Sequence, residues 1–150
     1  MHVPEVSAFL VDAAGTLLHL RESVGETYAR IGGAFGVTRS PEEIQRGFRA
    51  AFRTAPAPMF GDGREFWRHV VTSAAGVEDD DYFEAVYAAF GAPAWSIAPD
   101  ALQRFDDLRD AGVGVAIVSN WDTRLRAILK DLDVMAHIDI AVISSSPEIT

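Results

Sequence analysis

The sequence predicts an α/β protein in which a parallel sheet is interrupted by an inserted bundle of helices. Short runs rich in apolar, β-branched and aromatic residues predict buried strands at 8–11, 113–118 and 138–143. Helical patterns lie between these runs, as the crossovers between parallel strands require. The long stretch between the first two runs carries four helix-start signals, each followed by apolar residues at helical spacing.

The first strand ends on a carboxylate. Asp12 follows Val11 directly and leads into a Gly15-Thr16 turn. Open α/β sheets form their ligand crevices at the carboxyl ends of the strands. A carboxylate at that edge can act as a nucleophile or hold a divalent cation. A turn or helix-capping aspartate is the alternative interpretation of Asp12 alone.

The helical stretch predicts a small four-helix bundle. Four pairs have the spacing of a capping box, in which a short oxygen side chain precedes a glutamate by three residues: Ser23 and Glu26, Ser40 and Glu43, Asp62 and Glu65, and Asp81 and Glu84. The segment 54–63 contains two prolines and two glycines and therefore separates two helices. We expect the aromatic residues of this stretch to form its core rather than to contact a substrate.

The second strand also ends in polar groups. Pro99 and Gly112 predict the start and end of a helix over 100–111, and the strand 113–118 that follows ends on Ser119-Asn120. The Ser119 hydroxyl and the backbone amides after it would hold an oxyanion at the start of the next helix. An ordinary turn is the alternative for this pair. After the third strand, 144–150 predicts a loop.

Together these segments resemble the haloacid dehalogenase (HAD) superfamily of hydrolases. The first motif is Asp12 to Leu17, and the second is Val115 to Asn120, about a hundred residues later. The resemblance covers nearly the whole chain. It implies a partial Rossmann-like core at 1–20 and 93–150, with a helical cap inserted at 21–92.

The resemblance also implies a chemistry and a set of site residues. It makes Asp12 the nucleophile of a hydrolase that acts on a small phosphorylated metabolite, and it makes Ser119 the group that orients the transferred phosphoryl. Thr16 and Asn120 would be substrate-binding residues. Mg²⁺ would bind Asp12 and the backbone carbonyl of Ala14.

The sequence departs from the family pattern at two places. Ala14 stands where HAD phosphatases carry a second aspartate that moves protons, whereas the dehalogenating branch also lacks it, so a 2-haloacid dehalogenase remains an alternative. The lysine and the acidic motif that complete the family's site do not follow the third strand. A non-catalytic binding or scaffold protein is the third interpretation. The family pattern also places a further strand beside the one that ends at Asp12. Without that neighbour the Asp12 strand is an apolar edge, which indicates either a fragment or a homo-oligomer or partner protein that covers it.

Composition limits the partners. A formal net charge of −9 would repel nucleic acid and anionic membranes, which leaves small anionic substrates that a local positive site can hold. The chain has no cysteine, no apolar run long enough to span a bilayer and no basic region at its start, so we expect a cytoplasmic protein. The four histidines show no spacing typical of metal ligands.

Overall fold

The computed structural model describes residues 5–56 and 59–145, which form two compact units. One unit contains residues 5–19 and 96–145, and the other spans Leu20–Trp95. The strands are β1 (Ala8–Val11), β2 (Leu18–Leu20), β3 (Trp95–Ile97), β4 (Gly114–Ser119) and β5 (Ile140–Ile143). The α-helices are α1 (Val24–Gly32), α2 (Pro41–Thr54), α3 (Arg64–Ala75), α4 (Asp80–Ala89), α5 (Ala101–Asp110) and α6 (Arg124–Asp131).

The predicted parallel sheet is confirmed. Its strand order is β1-β4-β5, and both pairs of neighbouring strands are parallel. β4 ends one residue later than predicted, so that Ser119 is its last residue and pairs with Ile143. β5 begins at Ile140 rather than at 138. Just before it, Asp139 donates its amide to the Val115 carbonyl at 2.8 Å, and its carboxylate accepts the Val115 amide at 2.8 Å. A separate two-stranded sheet pairs β2 with β3.

β1 is not the buried strand that its apolar run alone predicts, but it is the exposed apolar edge that the sequence analysis also indicates. The strand forms as predicted, but it is the edge of the three-stranded sheet, and Leu10 is 65% exposed. Among the described residues, one face of the sheet is covered more fully than the other, since Val115 and Ile117 are fully buried while Val118, on the other face, is 43% exposed. Right-handed crossovers that step in one direction, from β1 to β4 to β5, place their helices on the same face. The unequal burial of the two faces follows from this topology.

The helical unit begins with two capping boxes that the sequence predicts correctly. In α1 the amide of Glu26 donates to Ser23 Oγ at 3.1 Å, and Ser23 N donates to the Glu26 carboxylate at 2.9 Å. Ser40 and Glu43 make the same pair of bonds at α2. The bond from the Ser23 backbone amide lowers the pKa of the Glu26 carboxyl. Its stabilising effect is therefore present above the ordinary glutamate pKa and is lost as the pH falls through the lowered value.

The other three predicted helix starts need correction. α3 begins after Gly63, which has a left-handed φ of 69°, and Asp62 accepts a bond from Arg64 N instead of forming a capping box. α4 is capped by Asp79, whose side chain accepts from Tyr82 N at 2.8 Å, so Asp81 lies inside the helix. α5 begins at Ala101, because Asp100 has a φ of 59° and Pro99 precedes the cap rather than the first helical turn.

Aromatic residues lie in the core of the helical unit, as predicted. Tyr82 is fully buried and donates its hydroxyl to the carbonyl of Tyr28 at 2.9 Å, and burial raises the pKa of Tyr82 to about 12. α1 and α2 approach closely at Gly25, where an added Cβ would lie 2.1 Å from the backbone oxygen of Pro41. Phe52, one of the aromatic residues expected in this core, is 43% exposed. Among the described residues, no helix has the length and apolarity needed to cross a bilayer.

Candidate active site

The carboxyl ends of β1 and β4 lie side by side. Val11 pairs with Ile117, the last pair between these two strands. Asp12 is one residue beyond this pair on β1, and Ser119 is two residues beyond it on β4. The topology therefore brings the start of the first motif next to the end of the second, although the sequence places the two motifs about a hundred residues apart.

The loop after β1 is folded around one carbonyl. The Ala13 oxygen accepts hydrogen bonds from the amides of Thr16, Leu17 and Leu18, at 3.2, 2.9 and 2.9 Å. Gly15 has a φ of 78° and donates its amide to Leu18 O at 2.8 Å, which closes the turn. Ala13, Leu17 and Leu18 are almost completely buried. The apolar residues of the motif thus anchor a tight loop whose polar residues face outward.

Asp12, Ala14 and Thr16 are exposed on this loop. The Asp12 carboxylate accepts one bond from the neighbouring Ala13 amide at 2.8 Å. The Thr16 carbonyl accepts from the His19 ring, with Nε2 3.1 Å away. The Asp12 carboxylate and the backbone carbonyl of Ala14 are hard oxygen donors. Mg²⁺ binds donors of this kind and usually keeps several waters. Within 5–56 and 59–145, no three His, Asp or Glu side chains are grouped closely enough to hold a metal ion.

Ser119 and Asn120 differ in accessibility. Ser119 is 6% exposed, whereas Asn120 is exposed and its side-chain oxygen accepts a hydrogen bond from Ser144 Oγ at 2.8 Å. Ser144 also donates its backbone amide to the Ser119 carbonyl at 3.0 Å. The end of β5 is therefore in direct contact with the end of β4.

A short loop separates Ser119 from the helix that follows it. α6 starts at Arg124, four residues further than Asn120, and its first amide is already bonded to the Asp122 carboxylate at 3.0 Å. The Arg124 amide is therefore engaged by a protein carboxylate, and the expectation that the amides directly after Ser119 hold a substrate oxyanion stays a prediction. Sequence reasoning did not identify Asp122.

Asp122 is a fully buried carboxylate paired with Arg124. Guanidinium atoms Nε and Nη2 of Arg124 lie 2.9 Å from its two oxygens, so the pair is bidentate. The D-x-R spacing between these residues is the one local signal that could have indicated the pair. Its effect is to fix the turn between β4 and α6.

A wide cavity of about 790 Å³ lies at the opposite end of the sheet. Its lining includes Gly114, the first residue of β4, and Asp139, which precedes β5. Asp139 is paired with Arg109 at 3.3 Å, and His137 Nδ1 lies 2.8 Å from Asp106. The cavity is thus at the amino ends of the strands, away from Asp12.

Comparisons with known proteins agree with this arrangement. A family model described as haloacid dehalogenase-like hydrolase matches residues 6–149. The haloacid dehalogenase-like hydrolase domain-containing protein 3 of Homo sapiens is 31% identical over 160 residues, which cover 97% of this chain and 64% of that protein. The protein of the same name from Mus musculus is 32% identical over 150 residues, covering 90% of this chain and 60% of its own length. The chain thus spans about three fifths of the length of these curated relatives.

The similar solved structures include a dehalogenase and a phosphatase. A dehalogenase crystal structure is 25% identical with a TM-score of 0.64, and covers 95% of this chain and 64% of its own. A HAD phosphatase from Thermococcus onnurineus is 18% identical with a TM-score of 0.57, covering 93% of this chain and 63% of its own, and shows a likeness of fold. The family match over residues 6–149 establishes that the chain belongs to the haloacid dehalogenase-like hydrolases.

Proposed function

We propose that this chain carries the nucleophile and the anion-binding strand ends of a hydrolase that acts on a small phosphorylated metabolite. The observation that carries the proposal is the exposed Asp12 carboxylate beside the end of β4, where Ser119 and Asn120 follow. A carboxylate next to hydroxyl and amide donors suits nucleophilic attack on an anionic group whose charge must be stabilised. The chain's net charge of −9 makes a small substrate the fitting partner, and excludes nucleic acid or an anionic membrane from the proposal.

In this mechanism a carboxylate oxygen of Asp12 attacks phosphorus. A bond forms between that oxygen and phosphorus, while the bond to the leaving alcohol oxygen breaks and its electron pair departs with that oxygen. Water then attacks phosphorus, inorganic phosphate leaves, and the Asp12 carboxylate is regenerated. Ser119 and Asn120 would donate hydrogen bonds to the non-bridging oxygens, and Thr16 would support the loop that positions Asp12.

A bound Mg²⁺ belongs to the same proposal. Its donors in this chain would be the Asp12 carboxylate and the Ala14 carbonyl, which supply hard oxygens two residues apart on the exposed loop. The cation would neutralise charge on the transferred phosphoryl group. We further propose that the helical unit Leu20–Trp95 is the cap and that the protein is cytoplasmic, in keeping with its lack of cysteine.

Ala14 favours dehalogenation as the second candidate. A methyl side chain cannot give a proton to a leaving alkoxide, but a halide leaves without protonation. In that reaction Asp12 would attack the carbon that bears the halogen, and water would hydrolyse the resulting ester. The dehalogenase structure at 25% identity points to the same chemistry.

A substrate comparison decides between these two reactions. We expect the protein to release phosphate from 4-nitrophenyl phosphate in a Mg²⁺-dependent reaction, and to release no halide from 2-chloropropionate. Phosphate and chloride release should be measured with enzyme in excess, with Mg²⁺ or with a chelator. Chloride release without metal would favour the dehalogenase, and no turnover of either class would favour a non-catalytic HAD-fold protein.

The uncovered edge of β1 is proposed to pair with a second copy or with another protein. Leu10 and Val6 are 65% and 66% exposed beside an unpaired backbone edge, which is a template for strand addition. We expect the 150-residue chain to self-associate in light scattering and Leu10→Lys to shift it toward the monomer. Phe60→Lys is the matched control, since Phe60 is 73% exposed but lies in the helical unit.

Two outcomes would contradict the prediction that the β1 edge needs a partner. A monodisperse wild-type monomer that unfolds cooperatively at ordinary mesophile temperatures, about 45–65 °C, would show that β1 does not need a partner. An equal effect of the Leu10 and Phe60 substitutions would attribute any association to general surface apolarity.

A further inference from the structure

The two serines that follow β5, Ser144 and Ser145, are hydrogen-bonded to three consecutive residues where β4 ends, 119–121. Ser144 N donates to Ser119 O at 3.0 Å, and Ser144 Oγ donates to Asn120 Oδ1 at 2.8 Å. The buried Ser145 hydroxyl donates to the carbonyl of Trp121. The backbone is thus bonded on both sides of Asn120, the first residue of the loop 120–123 between β4 and α6. One further bond reaches the Asn120 side chain itself.

The far end of the same loop is also fixed. Asp122 is fully buried, makes a bidentate pair with Arg124, and accepts at its carbonyl the amide of Leu125 at 3.2 Å. The backbone is therefore bonded on both sides of Asn120, and the exposed Asn120 side chain can still rotate about its own bonds. The Ser144 hydroxyl restricts that rotation.

The direction of the Asn120 carboxamide decides what it can bind. Its two ends are opposite in character, because the oxygen accepts hydrogen bonds and the nitrogen donates two. An oxygen turned toward a phosphate would repel it, whereas the Nδ2 hydrogens attract it. With Oδ1 held by Ser144, Nδ2 is the end available to a ligand of the exposed side chain.

We propose that Ser144 is a positioning residue that orients the Asn120 carboxamide so that Nδ2 donates to the anionic group of the substrate. This inference rests on the proposed function, since it assigns Asn120 to the same anion-binding strand end. Ser144 itself does not touch the substrate in this scheme. It acts by fixing which end of the neighbouring side chain faces the anion.

The amino-acid composition makes a direct test practical. Asn120 is the sole asparagine in the sequence, and the other side-chain carboxamides are those of Gln45 and Gln103. The Asn120 Nδ2 signals can therefore be assigned in ¹⁵N spectra by their loss in Asn120→Ala. Gln45 accepts the Gly25 amide in the helical unit, and Gln103 bonds Asp107 on α5, so both serve as internal references.

Inorganic phosphate is the probe, titrated into wild-type protein, Ser144→Ala and Ser144→Thr. In wild type we expect phosphate to shift the Asn120 Nδ2 signals and leave those of the two glutamines in place. Ser144→Ala should weaken phosphate binding by about fivefold, the equivalent of one ordinary hydrogen bond, and should change the Nδ2 signals before phosphate is added. Ser144→Thr retains the hydroxyl and should restore both properties.

Ser145→Ala separates orientation from loop stability. This variant removes a bond to the loop backbone, so it should lower the unfolding midpoint while Asn120 keeps its wild-type signals. A merely structural role for Ser144 would make its alanine variant behave in the same way.

Three results would overturn the inference. They are unchanged Asn120 signals and phosphate affinity in Ser144→Ala, failure of threonine to rescue, and an absence of any phosphate-induced shift at Asn120 in wild type. Turnover measurements distinguish a failure of the proposed function from a failure of this inference. Turnover that depends on Asp12 without a response at Asn120 would keep the hydrolase and remove the inference, whereas Ser144-dependent phosphate binding without turnover would do the reverse.

Discussion

Asp12→Asn is expected to abolish hydrolytic turnover, with a loss on the order of a thousandfold or more. The neutral amide oxygen is a much weaker nucleophile than a carboxylate, and it cannot form the covalent intermediate that the mechanism requires. The same substitution removes the one side-chain carboxylate of the Asp12–Leu17 loop, so binding of Mg²⁺ should weaken with it. Phosphate release under single-turnover conditions measures the effect.

The fold should survive this substitution. Asp12 is exposed, and an asparagine oxygen can accept the same hydrogen bond from the Ala13 amide at 2.8 Å. Circular dichroism and thermal unfolding should therefore match those of wild type. Asp131→Asn is the matched control, because Asp131 is an exposed aspartate at the end of α6 and should retain full turnover. Wild-type rates in Asp12→Asn would exclude Asp12 as the nucleophile.

Local hydrogen bonding explains which helix starts could be predicted. Ser23 and Ser40 form capping boxes with partners three residues away, so the sequence contains both halves of the interaction. Asp62 and Asp81 have the same spacing to a glutamate, but Gly63 and Asp79 take the capping positions there. The spacing alone cannot show that a neighbouring glycine will adopt a left-handed φ or that an earlier aspartate will compete.

The site was predictable in part for a similar reason. Asp12 and the strand end at Ser119 are marked by short-range patterns, an apolar run followed directly by polar residues. Asp122 escaped notice because its importance comes from complete burial, a tertiary property. Ser144 escaped notice because its partner Asn120 is 24 residues away and meets it only when β4 and β5 pair.

Strand burial was the least predictable feature. An apolar run such as Ala8–Val11 has the same composition whether it lies inside a sheet or at its edge. Its position depends on which strands flank it, and the β1-β4-β5 order leaves one side of β1 without a neighbour among the described residues. The hydrophobic pattern therefore predicts the element but not its exposure.

In a protein extended through the family's lysine and acidic motif, Ala14→Asp is expected to raise phosphate release from alkyl phosphates by about a hundredfold. In the 150-residue chain the same substitution should give little activity, because the described residues contain no group of three side chains that could hold the metal ion. Alkyl phosphates lose a basic alkoxide that needs a proton, and the new carboxyl group can supply it and later accept a proton from the attacking water. Ala14 is exposed and lies two residues from Asp12, so the longer side chain has space beside the nucleophile.

The gain should depend on the leaving group, which separates proton transfer from a general electrostatic effect. With 4-nitrophenyl phosphate the leaving phenolate is weakly basic, so Ala14→Asp should help much less than it does with an alkyl phosphate. Ala14→Asn, which has the same size but no transferable proton, should give no gain with either ester. Steady-state rates across a series of phosphate esters, plotted against leaving-group pKa, would therefore show a shallower slope for Ala14→Asp than for wild type. Equal gains for asparagine and aspartate would contradict the acid–base role of this position, and an increase in halide release from 2-chloropropionate would contradict the expectation that halide departs without a proton.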